Sequence, residues 1–204
     1  MKLKICGMTY EDNILEVAKL QPDYLGFIFY EKSPRYFDKT IPKLPKTIKK
    51  VGVFVNDNLD NIKTKIKTHD LQVVQLHGQE SPEFCNKLNQ TDIEIIKVFS
   101  IKDTFNFDKL KPYEPYVNFF LFDTKGKLPG GNGYVFNWDI LKNYTATTPY
   151  FLSGGIGLDS IENLNSFFKT SASKQCHAVD VNSKFEIKPG LKNGKSLTEF
   201  KSLL

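Results

Sequence analysis

Short runs rich in β-branched and aromatic residues recur along the chain at intervals of roughly 20 to 30 residues, each followed by a stretch with the apolar period of a helix. The runs fall at residues 2–6, 24–29, 51–55, 72–76, 93–98, 117–122, 150–153 and 178–181, and read as strands. The helical stretches fall at 10–20, 40–48, 59–67, 82–88, 106–111, 138–143, 158–168 and 195–203, the fifth being weak. An eightfold strand and helix alternation suits either an open doubly wound sheet or a closed barrel; in 204 residues it favours an α/β fold of the (β/α)8 barrel type, with a closed parallel sheet spanning 1–204 as one domain. Such barrels carry their chemistry at the carboxyl ends of the strands and in the loops that follow.

Side chains alternate across a strand, so in a barrel one parity meets the helices and the other points inward. In the first strand Leu3 and Ile5 share the helix-facing parity, leaving Lys4 and Cys6 inward. In the fourth, Val74 and Leu76 face out, with Gln75 and His77 in. In the sixth, Phe120 and Phe122 face out and Asp123 has inward parity at the mouth. In the eighth, Val179 and Val181 face out and Asp180 in. One rule, applied without regard to chemistry, thus gathers Lys4, Cys6, Gln75, His77, Asp123 and Asp180 in one barrel.

Composition narrows the partners. The 28 basic residues, giving a net charge of +5, are spread among 23 acidic ones, and a single arginine, Arg35, stands among them. Nucleic-acid readers cluster their charge and rely on arginine forks, so no nucleic acid is expected. The longest apolar stretches, such as 119–122, fall far short of the roughly 20 residues of a membrane span. The start, MKLKICGMTYED, reaches two acidic residues before any apolar run long enough for a secretory leader, so the cytoplasm is the expected compartment. Cys6, Cys85 and Cys176 are odd in number and widely spaced, which predicts free thiols.

Several loops carry chemistry. Ser153-Gly154-Gly155-Ile156-Gly157 follows the seventh strand and precedes a helical pattern beginning at Leu158 or Asp159. The glycines serve a tight turn alone, or they let backbone amides at a helix start approach an anion such as phosphate. The turn after the eighth strand, with Asn182, Ser183 and Lys184, would complete that cradle. Residues 123–133, ending in Pro129-Gly130-Gly131-Asn132-Gly133, form a glycine-rich loop that is either a plain connection or a lid that closes and excludes water. Arg35, in Ser33-Pro34-Arg35 after the second strand, is a surface charge or a two-pronged partner for a planar anion. Cys6 is a small buried residue or, with the Lys4 charge favouring its thiolate, a base or nucleophile near neutral pH. His77 is an interior histidine or a site residue. Asp123, desolvated beneath a closed lid, would be prepared to donate a proton.

The strings KICGM (4–8), GFIFYEKSPR (26–35), VGVFVN (51–56), VQLHG (74–78), LFDTKG (121–126), GGNGYVFNW (130–138), LSGGIG (152–157) and AVDVNSKFE with PG (within 178–190) lie in the right order along the whole chain. Together they resemble the phosphoribosylanthranilate isomerase family. The resemblance implies a cofactor-free and metal-free barrel, monomer or homodimer, that binds a phosphorylated sugar. It also implies the Amadori rearrangement of N-(5-phosphoribosyl)anthranilate to its 1-deoxyribulose form in tryptophan biosynthesis. Cys6 would be the general base and Asp123 the general acid; Arg35 would take the anthranilate carboxylate. The phosphate would lie against Gly154, Gly155, Ile156, Asn182, Ser183 and Lys184, while Lys4, His77 and Asp180 complete the substrate site.

The chain departs from the family pattern where DVSSGVE is common and 180–186 reads DVNSKFE, where Asn137 replaces an aspartate before Trp138, and where Asn132 replaces a threonine. The Lys184 charge is then expected to join the phosphate cradle. Two other readings compete: a different sugar-phosphate isomerase or epimerase barrel, and a non-catalytic phosphoribosyl-binding barrel. A cysteine ending the first strand argues against a two-aspartate isomerase, and His69, His77 and His177 are too scattered for a metal-dependent epimerase. A binder would need the phosphate loops and Arg35, whereas only an enzyme needs Cys6 and Asp123.

Overall fold

The computed structural model describes residues 1–102, 104–124 and 137–204. Eight parallel strands close into a barrel in chain order: β1 (Lys2–Ile5), β2 (Tyr24–Ile28), β3 (Lys49–Phe54), β4 (Val73–Leu76), β5 (Glu94–Ile101), β6 (Phe119–Thr124), β7 (Tyr150–Leu152) and β8 (Cys176–Val181). The closing pair is β1 with β8, in the register Lys4 to Asp180. The sheet thus has no open edge to blunt.

The α-helices are α1 (Glu11–Ala18), α2 (Leu59–His69), α3 (Pro82–Asn89), α4 (Ile161–Phe168) and α5 (Gly194–Leu203). Local chemistry fixes their starts. The Asn58 side chain accepts from Asn61 N at 2.8 Å, Ser81 Oγ accepts from Phe84 N at 3.2 Å ahead of Pro82, and Asn193 accepts from Ser196 N at 3.1 Å. The segments 106–111 and 138–143 form only 3-10 turns, at Phe107–Leu110 and Trp138–Asn143, and a third, Leu158–Ser160, precedes α4.

The helix expected over 40–48 is absent, and the chain there runs without regular structure into a turn. Pro42 and Pro45 explain it. Each lacks the N–H an interior helical position must donate, and each biases the residue before it toward extended backbone. Conversely, the chain after β8 forms an unexpected antiparallel hairpin, β9 (Glu186–Lys188) and β10 (Leu191–Lys192), which pairs Lys192 with Glu186.

The parity reading matches the packing. Leu3, Ile5, Val74, Leu76, Phe120, Phe122, Val179 and Val181 belong to the core between barrel and helices. A separate cluster of Tyr24, Val51, Val73, Ile96, Val98, Leu121, Phe151 and Ala178 fills the barrel's amino-terminal half. Above that plug the inward side chains Lys4, Gln75, Asp123, Ser153 and Asp180 are polar, which places a ligand at the carboxyl end. The three cysteines are free, as expected, and no described helix is long and apolar enough to cross a membrane.

Candidate active site

One cavity opens at the carboxyl end of the barrel, lined among others by Cys6, Arg35, His77, Asp123, the Gly154-Gly155-Ile156 turn, Asp180 and the 182–184 turn. Cys6 follows β1 directly, its N–H donating to Val181 O at 2.9 Å. Gly26 on β2 makes room for it. A Cβ at position 26 would lie 2.7 Å from Cys6 Sγ, closer than any non-bonded neighbour tolerates.

Asp123 lies within β6 rather than in the following loop, because β6 runs on to Thr124. Its Oδ1 accepts from Thr124 N at 2.8 Å, and its Oδ2 stands 3.6 Å from His77 Nε2. Gln75 Nε2 lies 3.0 Å from His77 Nδ1. With the amide nitrogen donating, Nδ1 accepts, and Nε2 is the ring nitrogen directed toward Asp123. The turn after β4 is itself held by a buried ion pair, Lys97 Nζ to Glu80 Oε2 at 2.9 Å, with Glu80 also accepting from Asn56 N and Gly78 N.

One expectation for Lys4 requires correction: its side chain is fully buried and is not among the residues lining the cavity, so the structure does not place it among the substrate contacts. Its ammonium is bound to Asp180 Oδ1 at 2.7 Å, and Asp180 Oδ2 accepts from Ser153 Oγ at 3.0 Å. Lys4 favours the Cys6 thiolate, as expected, but burial outweighs it. Burial pushes the Cys6 thiol above its ordinary value; Lys4 and Lys192 pull it down, Asp180 opposes them, and burial prevails.

At the phosphate turn, Gly154 has φ +97°, and a Cβ there would sit 2.1 Å from Thr124 Oγ1. The glycine therefore lets the turn close against the end of β6, beside Asp123. Gly157 N is committed to Ser160 Oγ at 3.1 Å, while Gly154, Gly155 and Ile156 before it line the cavity. The α-helix begins at Ile161, after the 3-10 turn, rather than at Leu158 or Asp159. Lys184 Nζ lies 3.1 Å from Asp159 Oδ2, so its charge at the rim is shared with a carboxylate of the same turn. Ser183 lines the cavity, while Asn182 Oδ1 accepts from Lys192 Nζ at 2.6 Å.

Arg35 lines the cavity, and its guanidinium is held by Glu186. Its Nε donates to Glu186 Oε1 at 2.8 Å and its Nη2 to Glu186 Oε2 at 2.6 Å. Glu186 and Lys192 were not singled out in the sequence. Glu186 sits inside the AVDVNSKFE string, but Lys192 looks like any other lysine in a lysine-rich chain. The loop at 125–136, and with it the expected lid and Asn132, lies outside the described residues.

Comparison with known proteins agrees with this architecture. The family model described as N-(5'phosphoribosyl)anthranilate (PRA) isomerase matches residues 3–202. The N-(5'-phosphoribosyl)anthranilate isomerase of Parabacteroides distasonis is 41% identical, over 98% of this chain and 91% of that protein. The crystal structure of phosphoribosyl anthranilate isomerase from Thermotoga maritima superposes with a TM-score of 0.81 at 30% identity, over 100% of this chain and 98% of that one. A phosphoribosyl anthranilate isomerase solved in complex with reduced 1-(o-carboxyphenylamino)-1-deoxyribulose 5-phosphate gives 0.78 at 30% identity, over 98% and 96% of the two chains. A barrel closed at one end by apolar side chains, bearing a thiol, a carboxyl group and a glycine turn at the other, and matched by these relatives along its whole length, belongs to the N-(5'-phosphoribosyl)anthranilate isomerase family.

Proposed function

We propose that the chain converts N-(5'-phosphoribosyl)anthranilate into 1-(o-carboxyphenylamino)-1-deoxyribulose 5-phosphate by an Amadori rearrangement in tryptophan biosynthesis, with Asp123 as acid and Cys6 as base. The observation that carries this reading is that both groups line one cavity, together with the glycine turn and the guanidinium that a phosphate and a ring carboxylate require. The carboxyl group of Asp123 gives its proton to the furanose ring oxygen as the bond from that oxygen to C1 breaks, and the anilino nitrogen supplies the electron pair of the iminium. The Cys6 thiolate then removes the C2 proton, and the released electron pair gives the neutral enolamine, which becomes the ketone as C1 gains a proton and the C2 hydroxyl loses one. General acid and general base groups each contribute on the order of 100-fold to 10,000-fold. A thiol held above its ordinary value is a strong base once ionised, so the thiolate form is the one that works.

Gly154, Gly155 and Ile156, with Asn182, Ser183 and Lys184, hold the phosphate through amides, a hydroxyl and a partly shared charge. His77, with its Nε2 3.6 Å from Asp123 Oδ2, orders that carboxyl group, and Asp180, fixed by Lys4 and Ser153, forms the floor beside Cys6. Arg35 faces the ring carboxylate. The test is anthranilate-type fluorescence after adding freshly made phosphoribosylanthranilate to the purified protein. Turnover faster than the spontaneous background is expected. Tight binding of the compound without turnover would overturn the reading in favour of a phosphoribosyl-binding barrel.

A further inference from the structure

We propose that Glu186 and Lys192 are a positioning pair that aims Arg35 at the substrate's ring carboxylate, so that the hairpin after β8 sets the preference for a carboxylate-bearing ligand. The inference rests on the reading of Arg35 given above. Arg35 sits on a loop after β2, and a long side chain on a loop does not hold one direction by itself. Glu186 supplies the direction. Its two oxygens occupy Nε and Nη2, while Nη1 has no hydrogen-bond partner among the described residues. The fork is thus gripped along one edge and presents the rest of itself to the cavity it lines.

Glu186 is gripped in turn. Lys192 Nζ donates to Glu186 Oε1 at 2.8 Å, Gly190 N donates to the same oxygen at 3.0 Å, and the hairpin register places residues 186 and 192 opposite each other. Both side chains are almost wholly buried, at 0% exposure for Lys192 and 5% for Glu186. Lys192 also donates to Asn182 Oδ1 at 2.6 Å and to Asn182 O at 3.2 Å, so one ammonium ties the carboxylate-facing arginine to the phosphate-facing turn. Asn13 fixes the Lys192 backbone from α1, accepting from Lys192 N at 2.7 Å and donating to Lys192 O at 2.9 Å.

The charges are also incomplete. Arg35 and Lys192 are two cations around one carboxylate, and a second carboxylate arriving at Arg35 balances the group. Burial lowers the Lys192 ammonium to about 8, with Glu186 opposing that effect, so at neutral pH the cation remains. Burial alone would raise Glu186, but Arg35 and Lys192 outweigh it and keep the carboxylate ionised. A rung that served only to stabilise the hairpin would not need to hold Arg35 and Asn182, which line the cavity.

The test measures the affinity of two stable ligands: reduced 1-(o-carboxyphenylamino)-1-deoxyribulose 5-phosphate and its counterpart lacking the ring carboxylate. The wild type is expected to prefer the first by on the order of 10-fold to 100-fold, the worth of a charge-assisted pair. Glu186→Gln keeps the shape but removes the charge, and should cut that preference to about threefold while raising KM far more than it lowers kcat. Glu186→Asp keeps the pair charged in the buried site and should move the preference the same way by less, which secures the test if the glutamine variant folds poorly. In an Arg35→Ala background the Glu186 substitutions should change the preference no further. Equal weakening of both ligands, or a further loss of preference without Arg35, would overturn the positioning role. If Arg35→Ala itself leaves the preference at its wild-type value, the carboxylate reading of Arg35 fails and the proposal falls with it.

Discussion

The two halves of the barrel interior are built from the same strands by the same alternation, yet they have opposite chemistry. Along β8 the inward sequence runs from Ala178 to Asp180, along β4 from Val73 to Gln75, along β6 from Leu121 to Asp123, and along β7 from Phe151 to Ser153. The amino-terminal half is sealed by edge-to-face contacts of Phe151 with Tyr24 and Phe119, and His177 closes it from beneath with Nε2 2.8 Å from Tyr24 OH. There burial leads in lowering the His177 imidazole and in pushing the Tyr24 phenol up to about 12, so both stay neutral. The carboxyl half buries a charged pair instead, Lys4 with Asp180, and the hairpin beside it buries a second, Lys192 with Glu186. Stability is invested at one end and reactivity at the other, two residues apart on the same strand.

That division predicts opposite responses to substitution. Phe151→Ala should destabilise the fold by about 3–5 kcal/mol, the cost of a buried aromatic lost to a cavity, with a fall in Tm on the order of 10 °C. KM should stay near the wild-type value, and a changed KM would mean the plug is not separate from the site. Gly26→Ala is the converse. It intrudes 2.7 Å from Cys6 Sγ and should lower kcat by about 100-fold through misplacement of the thiol, with a much smaller change in Tm. Unchanged turnover would show that Cys6 has room to shift.

Smaller effects sharpen the contrast further. The raised Cys6 value means the neutral thiol is favoured, so the thiolate fraction at pH 7 is below that of a free cysteine. The rate of Cys6 alkylation by iodoacetamide should therefore keep climbing past pH 9, whereas a plateau below pH 9 would mark a more electropositive mouth than described. The least effect belongs to Lys49, whose pairing with Glu94 at 2.6 Å is substantially exposed on the closed end. Lys49→Ala should change stability by no more than about 1 kcal/mol in chemical denaturation, and a larger loss would mean that this end relies on its charges.

The strands and their inward faces were legible in the sequence, because period-2 alternation fixes direction once a strand is placed. Cys6, His77, Asp123 and Asp180 follow from that rule alone. Lys4 shows its limit: parity gives direction but not depth, and a lysine one layer down meets Asp180 rather than a ligand. The helix expected at 40–48 failed because an apolar spacing of helical appearance outweighed Pro42 and Pro45 in the reading, while in the chain the prolines prevail. The β9 and β10 hairpin escaped because three and two residues are too few to show a period, although Pro189-Gly190 marked its turn. Lys192 escaped because burial, not residue type, distinguishes it from the chain's many exposed lysines.

The central claim is that a thiol and a carboxyl group exchange protons with one bound pentose. Its most direct test is to measure, for Cys6→Ser and Asp123→Asn, both kcat and the dissociation constant of the reduced product analogue. The account predicts a loss of at least about 100-fold in kcat for each variant, with the dissociation constant within about threefold of wild type. Wild-type kcat in either variant, or a loss of binding that accounts for the whole loss of rate, would contradict it.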